Sequence, residues 1–71
     1  MNGRPPGGDP EIAARLVGIY PNPEVRDHMR EECMNLAAWA GMTGRPEVLA
    51  WMEIASALRL SLHPSYTTIG G

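Results

Sequence analysis

One four-residue pattern occurs three times and divides the chain: Asp9-Pro10-Glu11-Ile12, Asn22-Pro23-Glu24-Val25 and Arg45-Pro46-Glu47-Val48. Each reads as the start of a helix. Proline holds φ near its helical value and lacks the N–H that a first turn cannot pair, and the glutamate after it faces the positive end of the helix dipole. Asp9 and Asn22 are good N-cap residues. Arg45 is not, so Thr43 is expected to cap the third helix from farther back. The segments between these signals do not align, so the matches are shared punctuation and not a sequence repeat.

Apolar spacing fills in the helices. The first is expected over Pro10–Ile19, with Ile12, Leu16, Ile19 and Tyr20 on one stripe, and Tyr20-Pro21-Asn22-Pro23 makes a tight corner into the second. The second is expected from Pro23 to Ala40, stopped by Gly41, with Val25, Met29, Cys33, Leu36 and Ala40 facing inward and Asp27, His28, Glu31 and Asn35 outward. Met34 falls among the polar positions and Trp39 at the stripe's margin. The third is expected from Pro46 to Leu62, ended by His63-Pro64. Its inner arc, Val48, Trp51, Met52, Ile54, Ala55, Leu58 and Leu62, is already a full core-facing stripe. Leu49 and Leu60 lie outside it, and Ala50, Ala57 and Ser61 form a side of small residues that would let another helix approach closely.

These elements define an all-α, three-helix domain over residues 9–63, with the second and third helices as an antiparallel hairpin and the first packed across them. Residues 1–8 read as a flexible N-terminal tail and residues 64–71 as an extended or disordered C-terminal one. In a chain of 71 residues one core rarely supplies more than about 3–5 kcal/mol of net stability. Cys33 is the only cysteine, so no disulfide supplements the core within one chain, and Cys33, His28 and His63 are too few for a four-ligand zinc site. Association is the remaining supplement.

Composition narrows the partners. Six arginines, no lysine and eight acidic residues give a net charge of -2, which sets up no field for a phosphate backbone. The abundance of Ala, Gly and Pro beside the absence of Lys, Phe and Gln reads as GC-rich coding, of a bacterial or phage kind, and not as function. No apolar run resembles a signal peptide or a membrane span, so a cytoplasmic location is expected, and a lone thiol fits a reducing compartment.

Candidate sites are few. His28 and Glu32 stand four apart and read as a surface contact, with Cys33 about 140° away from His28 around the helix. Cys33 itself reads as a small core hydrophobe. No catalytic residue, metal or cofactor is assigned. Gly70-Gly71 resembles the terminal diglycine of ubiquitin-type and sulfur-carrier modifiers, but those are β-rich and this chain is not, so a plain chain end is expected. The segment from Leu36 to Met52 resembles a helix-turn-helix, with Ala37 and Gly41 at the usual spacing, apolar Met42 and a second helix. That resemblance implies DNA binding with Arg45 as the contact residue. It departs from the motif in placing Val48 one residue late and in turning Glu47, Ala50 and Glu53 outward, where Arg, Lys, Asn or Gln would read bases or phosphates.

The preferred reading is a non-enzymatic protein-protein interaction module. It either self-associates or is a small subunit, adaptor or inhibitor that docks its third helix on a larger protein. Met34, Trp39, Leu49, Trp51 and Leu60 are the expected partner-facing residues, with Trp51 inside the inner arc and equally suited to the core. The partner is expected to be protein, with no membrane, no nucleic acid and no small-molecule substrate.

Overall fold

A computed structural model describes residues 8–63. It contains α1 (Pro10–Ile19), α2 (Pro23–Met42) and α3 (Val48–Ser61), with no strand among the described residues. α2 and α3 form the expected hairpin, and α1 packs across α3 while barely touching α2. The expectations for residues 1–7 and 64–71, including both tails and the terminal diglycine, lie outside the described residues.

Two of the three start signals act as expected. The Asp9 side chain accepts from the Glu11 N–H at 2.8 Å and that of Asn22 from the Glu24 N–H at 2.9 Å, each followed by proline at the first helical position. The third does not. α3 begins at Val48, two residues after Pro46, and the residue before it, Glu47, caps with no side-chain hydrogen bond. Arg45 offers no acceptor for the first turn, so the Pro-Glu signal alone leaves residues 45–47 in a turn.

Thr43, expected to open α3, instead closes α2: its backbone N–H donates to the Trp39 carbonyl at 3.0 Å and its hydroxyl to the same oxygen at 2.8 Å. Gly41, expected to stop α2, is helical, and the helix runs on to Met42. The left-handed residue is Gly44, with φ of 69°. Its N–H donates to the Gly41 carbonyl at 3.3 Å and the Arg45 N–H reaches back to the Ala40 carbonyl at 2.8 Å. That paired return is the Schellman closure, and it needs glycine where the chain reverses, not three residues earlier.

The inward face of α2 keeps Cys33 and Ala40 but is turned about 50° from the expected stripe. Val25 and Leu36 are exposed, whereas Arg26 and Ala37 are buried with Cys33 and Ala40. Successive residues stand about 100° apart around a helix, so half a step exchanges one flank of the stripe for the other. On α3 the buried residues are Ala55, Ala57, Leu58 and Ser61, while Met52 of the expected inner arc is exposed. Ala57 and Ser61 belong to the small-residue side, and α1 contributes its own fully buried alanine, Ala13. Leu16 of α1, Met29 of α2, and Trp51 and Ile54 of α3 are half-buried around the central cluster of Cys33, Ala55 and Leu58.

Arg26 is the structural surprise, because it is 1% exposed. Its Nε donates to the Ser61 hydroxyl at 3.0 Å, one terminal nitrogen to the Ser61 carbonyl at 3.1 Å and the other to the Tyr20 carbonyl at 2.6 Å. Ser61 is the last residue of α3 and Tyr20 the C-cap of α1. The guanidinium thus occupies the negative dipole ends of two helices and takes up carbonyls that no further helical turn would pair. Ser61 completes the network by donating its hydroxyl to the Leu58 carbonyl.

The other end of α1 is held at the same half of α3. A Cβ added to Gly8 would fall 2.7 Å from the Ser56 carbonyl oxygen and 2.9 Å from the Leu60 Cβ, so only glycine fits this approach. α1, at 10 residues, is about 15 Å long, whereas Ser56 to Ser61 spans about 8 Å of α3. α1 therefore crosses α3 near its C-terminal end, and the hairpin projects beyond it.

Two predictions follow from this geometry. Arg26→Ala strands the buried Ser61 carbonyl and the partly buried Tyr20 carbonyl and should lose about 2–4 kcal/mol in urea denaturation followed by circular dichroism, against about 1 kcal/mol for Ser61→Ala, which keeps its carbonyl partner. An Arg26→Ala protein as stable as the parent would show that the clamp contributes nothing. At the turn, Gly44→Ala should destabilise by about 1–2 kcal/mol because of its left-handed backbone. Gly41→Ala, in the helix with ordinary contact to Val48, should be neutral or stabilising by up to about 1 kcal/mol. Opposite signs for the pair would move the helix end back to Gly41.

Candidate functional site

Because α1 covers only one end of the hairpin, large apolar side chains at the other end stay in water. Met34 is 54% exposed, Met42 87%, Leu49 72% and Met52 52%, with Leu36 and Trp39 also exposed. Two positions fix the sides of this end. Gly41 and Val48 meet across the hairpin, where a Cβ on Gly41 would touch Val48 Cγ2 at 3.7 Å. Met34 precedes Gly41 by two turns on α2, and Met52 follows Val48 by one turn on α3, so both flank this seam on the same side. Met42 stands nine residues from Cys33 and Leu49 nine from Leu58, half a turn around each helix, so both point away from the face where α2 meets α3. Leu36 lies about 160° from Met34 around α2, on the opposite side.

Charge is nearly absent here. From Cys33 to Met52 the only charged residues are Arg45 and Glu47, and they face each other at 3.8 Å. The Arg45 guanidinium also stacks over the Trp39 ring, 4.6 Å from its centroid, which shields one face of that indole. By contrast, the outer side of α2 nearer α1 carries exposed pairs such as His28 with Glu32, at 3.7 Å, and Arg30 with Asp27, at 3.1 Å.

The residues expected to face a partner divide accordingly. Met34 flanks the seam, whereas Leu49 points away from it on the outer side of α3. Trp39 is half-exposed on the other side under Arg45, Trp51 is packed against the central cluster, and Leu60 is half-buried beside Gly8. The structure therefore does not bring the five together. Met42 and Met52 are also exposed at this end and were not among them. Met42 was hidden by the expectation that Gly41 ended the helix, and Met52 by its place within the inner arc of α3. The extra two residues of α2 would have been readable from Gly44-Arg45, had the Schellman return been weighed against a simple glycine stop.

Arg45, the residue on which the helix-turn-helix resemblance depends, is held by Trp39 and Glu47. The glycine that the motif places in its turn, Gly41, is helical, and five residues, Thr43 to Glu47, connect the two helices. Cys33 is buried among Ala55 and Leu58, and burial pushes its thiol above the ordinary value, with the Glu32 carboxylate adding to the rise. Among the described residues no group of three His, Cys, Asp or Glu side chains gathers as a metal site would require.

Comparison of the chain with protein-family models, with curated protein sequences and with solved structures gives no match.

The buried thiol generates a pH prediction. Its folded pKa lies above its unfolded value, so its contribution to stability is fully present below the unfolded pKa and is lost as pH rises through the folded one. Stability measured by urea denaturation should fall in alkaline solution from about pH 8.5 upward, and Cys33→Ala should remove part of that fall. Identical alkaline profiles for the two proteins would contradict the assignment.

Proposed function

We propose that this protein is a non-enzymatic interaction module that binds protein, either another copy of itself or a larger partner, through the apolar end of the α2–α3 hairpin. α3 contributes Leu49 and Met52 to that surface and α2 contributes Met34 and Met42. The observation that carries the reading is the exposure of these four side chains at one end of the hairpin, where Arg45 and Glu47 are the only charged residues from Cys33 to Met52. Large apolar side chains gathered in water at one end of a fold suit a contact surface, and unbranched methionines adapt to the shape of what covers them.

Magnitudes favour association over any charged mode of binding. Burying four such side chains from their present exposure is worth on the order of 4–8 kcal/mol gross, before ordering costs. An exposed ion pair contributes about 1 kcal/mol or less. The DNA-binding alternative draws less support, because Arg45 is already engaged and the outward residues of the first turns of α3, Leu49, Ala50, Met52 and Glu53, offer no donors to phosphate or base edges. A cytoplasmic setting belongs to the same proposal. Among the described residues no helix is long and apolar enough to cross a membrane.

A photo-reactive residue placed at Leu49, in cells producing the protein, should give covalent protein adducts, while the same residue at exposed Arg15 of α1 should give several-fold fewer. Equal yields at the two positions, or none at Leu49, would refute the reading.

A further inference from the structure

We infer that Met42, Met34 and Met52 are sites of reversible oxidation by peroxides, and that their sulfoxides release the partner bound at this end of the hairpin while the fold persists. The release rests on the interaction reading above. The place of the oxidation does not.

Placement is the first support. Of the methionines among the described residues, Met34, Met42 and Met52 are exposed at the hairpin end, whereas Met29 packs against the cluster of Cys33, Ala55 and Leu58. None belongs to the buried core, whose apolar members are alanines, Cys33 and Leu58. A thioether reacts without losing a proton, so its access to water sets its susceptibility. Met42, the most exposed, therefore leads, and Met34 and Met52 follow. The rival sulfur is that of Cys33, which reacts as the thiolate. It is buried, and burial holds its thiol above the ordinary value. The reactive sulfur thus lies at the end of the hairpin that α1 leaves uncovered.

Polarity is the second support. The thioether lone pair forms an S–O bond as the O–O bond of the peroxide breaks. Sulfur is oxidised by two electrons, the peroxide is reduced, and with hydrogen peroxide the leaving hydroxide takes the proton of the transferred hydroxyl and departs as water. An apolar side chain becomes a polar one with a strong acceptor oxygen. In the free chain that oxygen stands in water and costs the fold little. Beneath an apolar partner it would lose its water and gain no donor, so the cost falls on the complex. A seated partner in turn shields the sulfurs it covers, so that binding and oxidation oppose each other.

Treatment of the full chain with dilute hydrogen peroxide, followed by peptide mass spectrometry and circular dichroism, tests the placement. The expected result is oxidation of Met42 first, then of Met34 and Met52, with Met29 and Cys33 several-fold slower and the helix content retained. Oxidation of Met29 or Cys33 as fast as Met42, or loss of helix content alongside it, overturns the inference. For the release, the chain carrying a photo-reactive residue at Leu49 is irradiated in an extract of the producing cells before peroxide treatment, after it, and after repair by methionine sulfoxide reductases. Adducts should fall several-fold on oxidation and return on repair, which restores thioethers and no other oxidised side chain. An undiminished yield with all three methionines oxidised overturns the release. Absence of adducts from the untreated chain would remove the interaction reading and the release with it, whereas unselective oxidation removes the modification site and leaves that reading intact.

Discussion

The guanidinium of Arg26 sits where two helices end, and the arrangement of the molecule depends on it. A buried charge is tolerated only where hydrogen bonds replace the water it has lost. Here the replacements are the carbonyls of Tyr20 and Ser61 and the Ser61 hydroxyl, which themselves need donors because no further turn of α1 or α3 supplies them. One side chain from the first turn of α2 thereby ties the C-terminal ends of the other two helices together. With Gly8 seated against Ser56 and Leu60, α1 is committed to one end of the hairpin and leaves the other end uncovered.

The packing around this tie is built from small residues. Among the described residues the buried apolar side chains are alanines, Cys33 and Leu58, so helices approach closely but little apolar area is hidden. Close approach favours dense packing, yet at roughly 25 cal/mol per Å² it is hidden area that drives folding. The larger side chains, from Met34 and Met42 to Leu49 and Met52, are left where a partner can cover them. This imbalance is what the proposed interaction role rests on: a short chain with an alanine-rich core leaves several large apolar side chains exposed.

Much of the architecture was legible because prolines and acceptors have fixed local meanings. Asp9-Pro10 and Asn22-Pro23 open helices at the expected residues, and the bounds of α1 follow directly. The end of α2 was not legible from Gly41 alone, since a glycine can continue a helix as well as stop it. What decides is which downstream N–H returns to the last carbonyls, and here it is that of Arg45. The rotation of α2 escaped for a related reason. Counting apolar positions favours Val25 over Arg26, because the count assigns arginine to water and cannot see two helix ends converging on one guanidinium. The same blind spot misplaced Met52: a stripe scores Met above Ala, while the hairpin seats Ala55 and Ala57 where helices must approach. Of the surface residues, Met34 was visible as an apolar residue in polar surroundings and Leu49 as one outside the stripe, but the position of Met34 beside the seam depended on pairing Gly41 with Val48.

The central claim is that a single molecule leaves the methionines of the hairpin end in water while α1 shelters the opposite end. Methyl NMR of the dilute monomer with a soluble paramagnetic probe examines this side chain by side chain. The account predicts strong broadening of the Met34, Met42 and Met52 methyl signals and much weaker broadening of Met29, which packs against the Cys33 cluster. Equal protection of all four methyls in the monomer would contradict it.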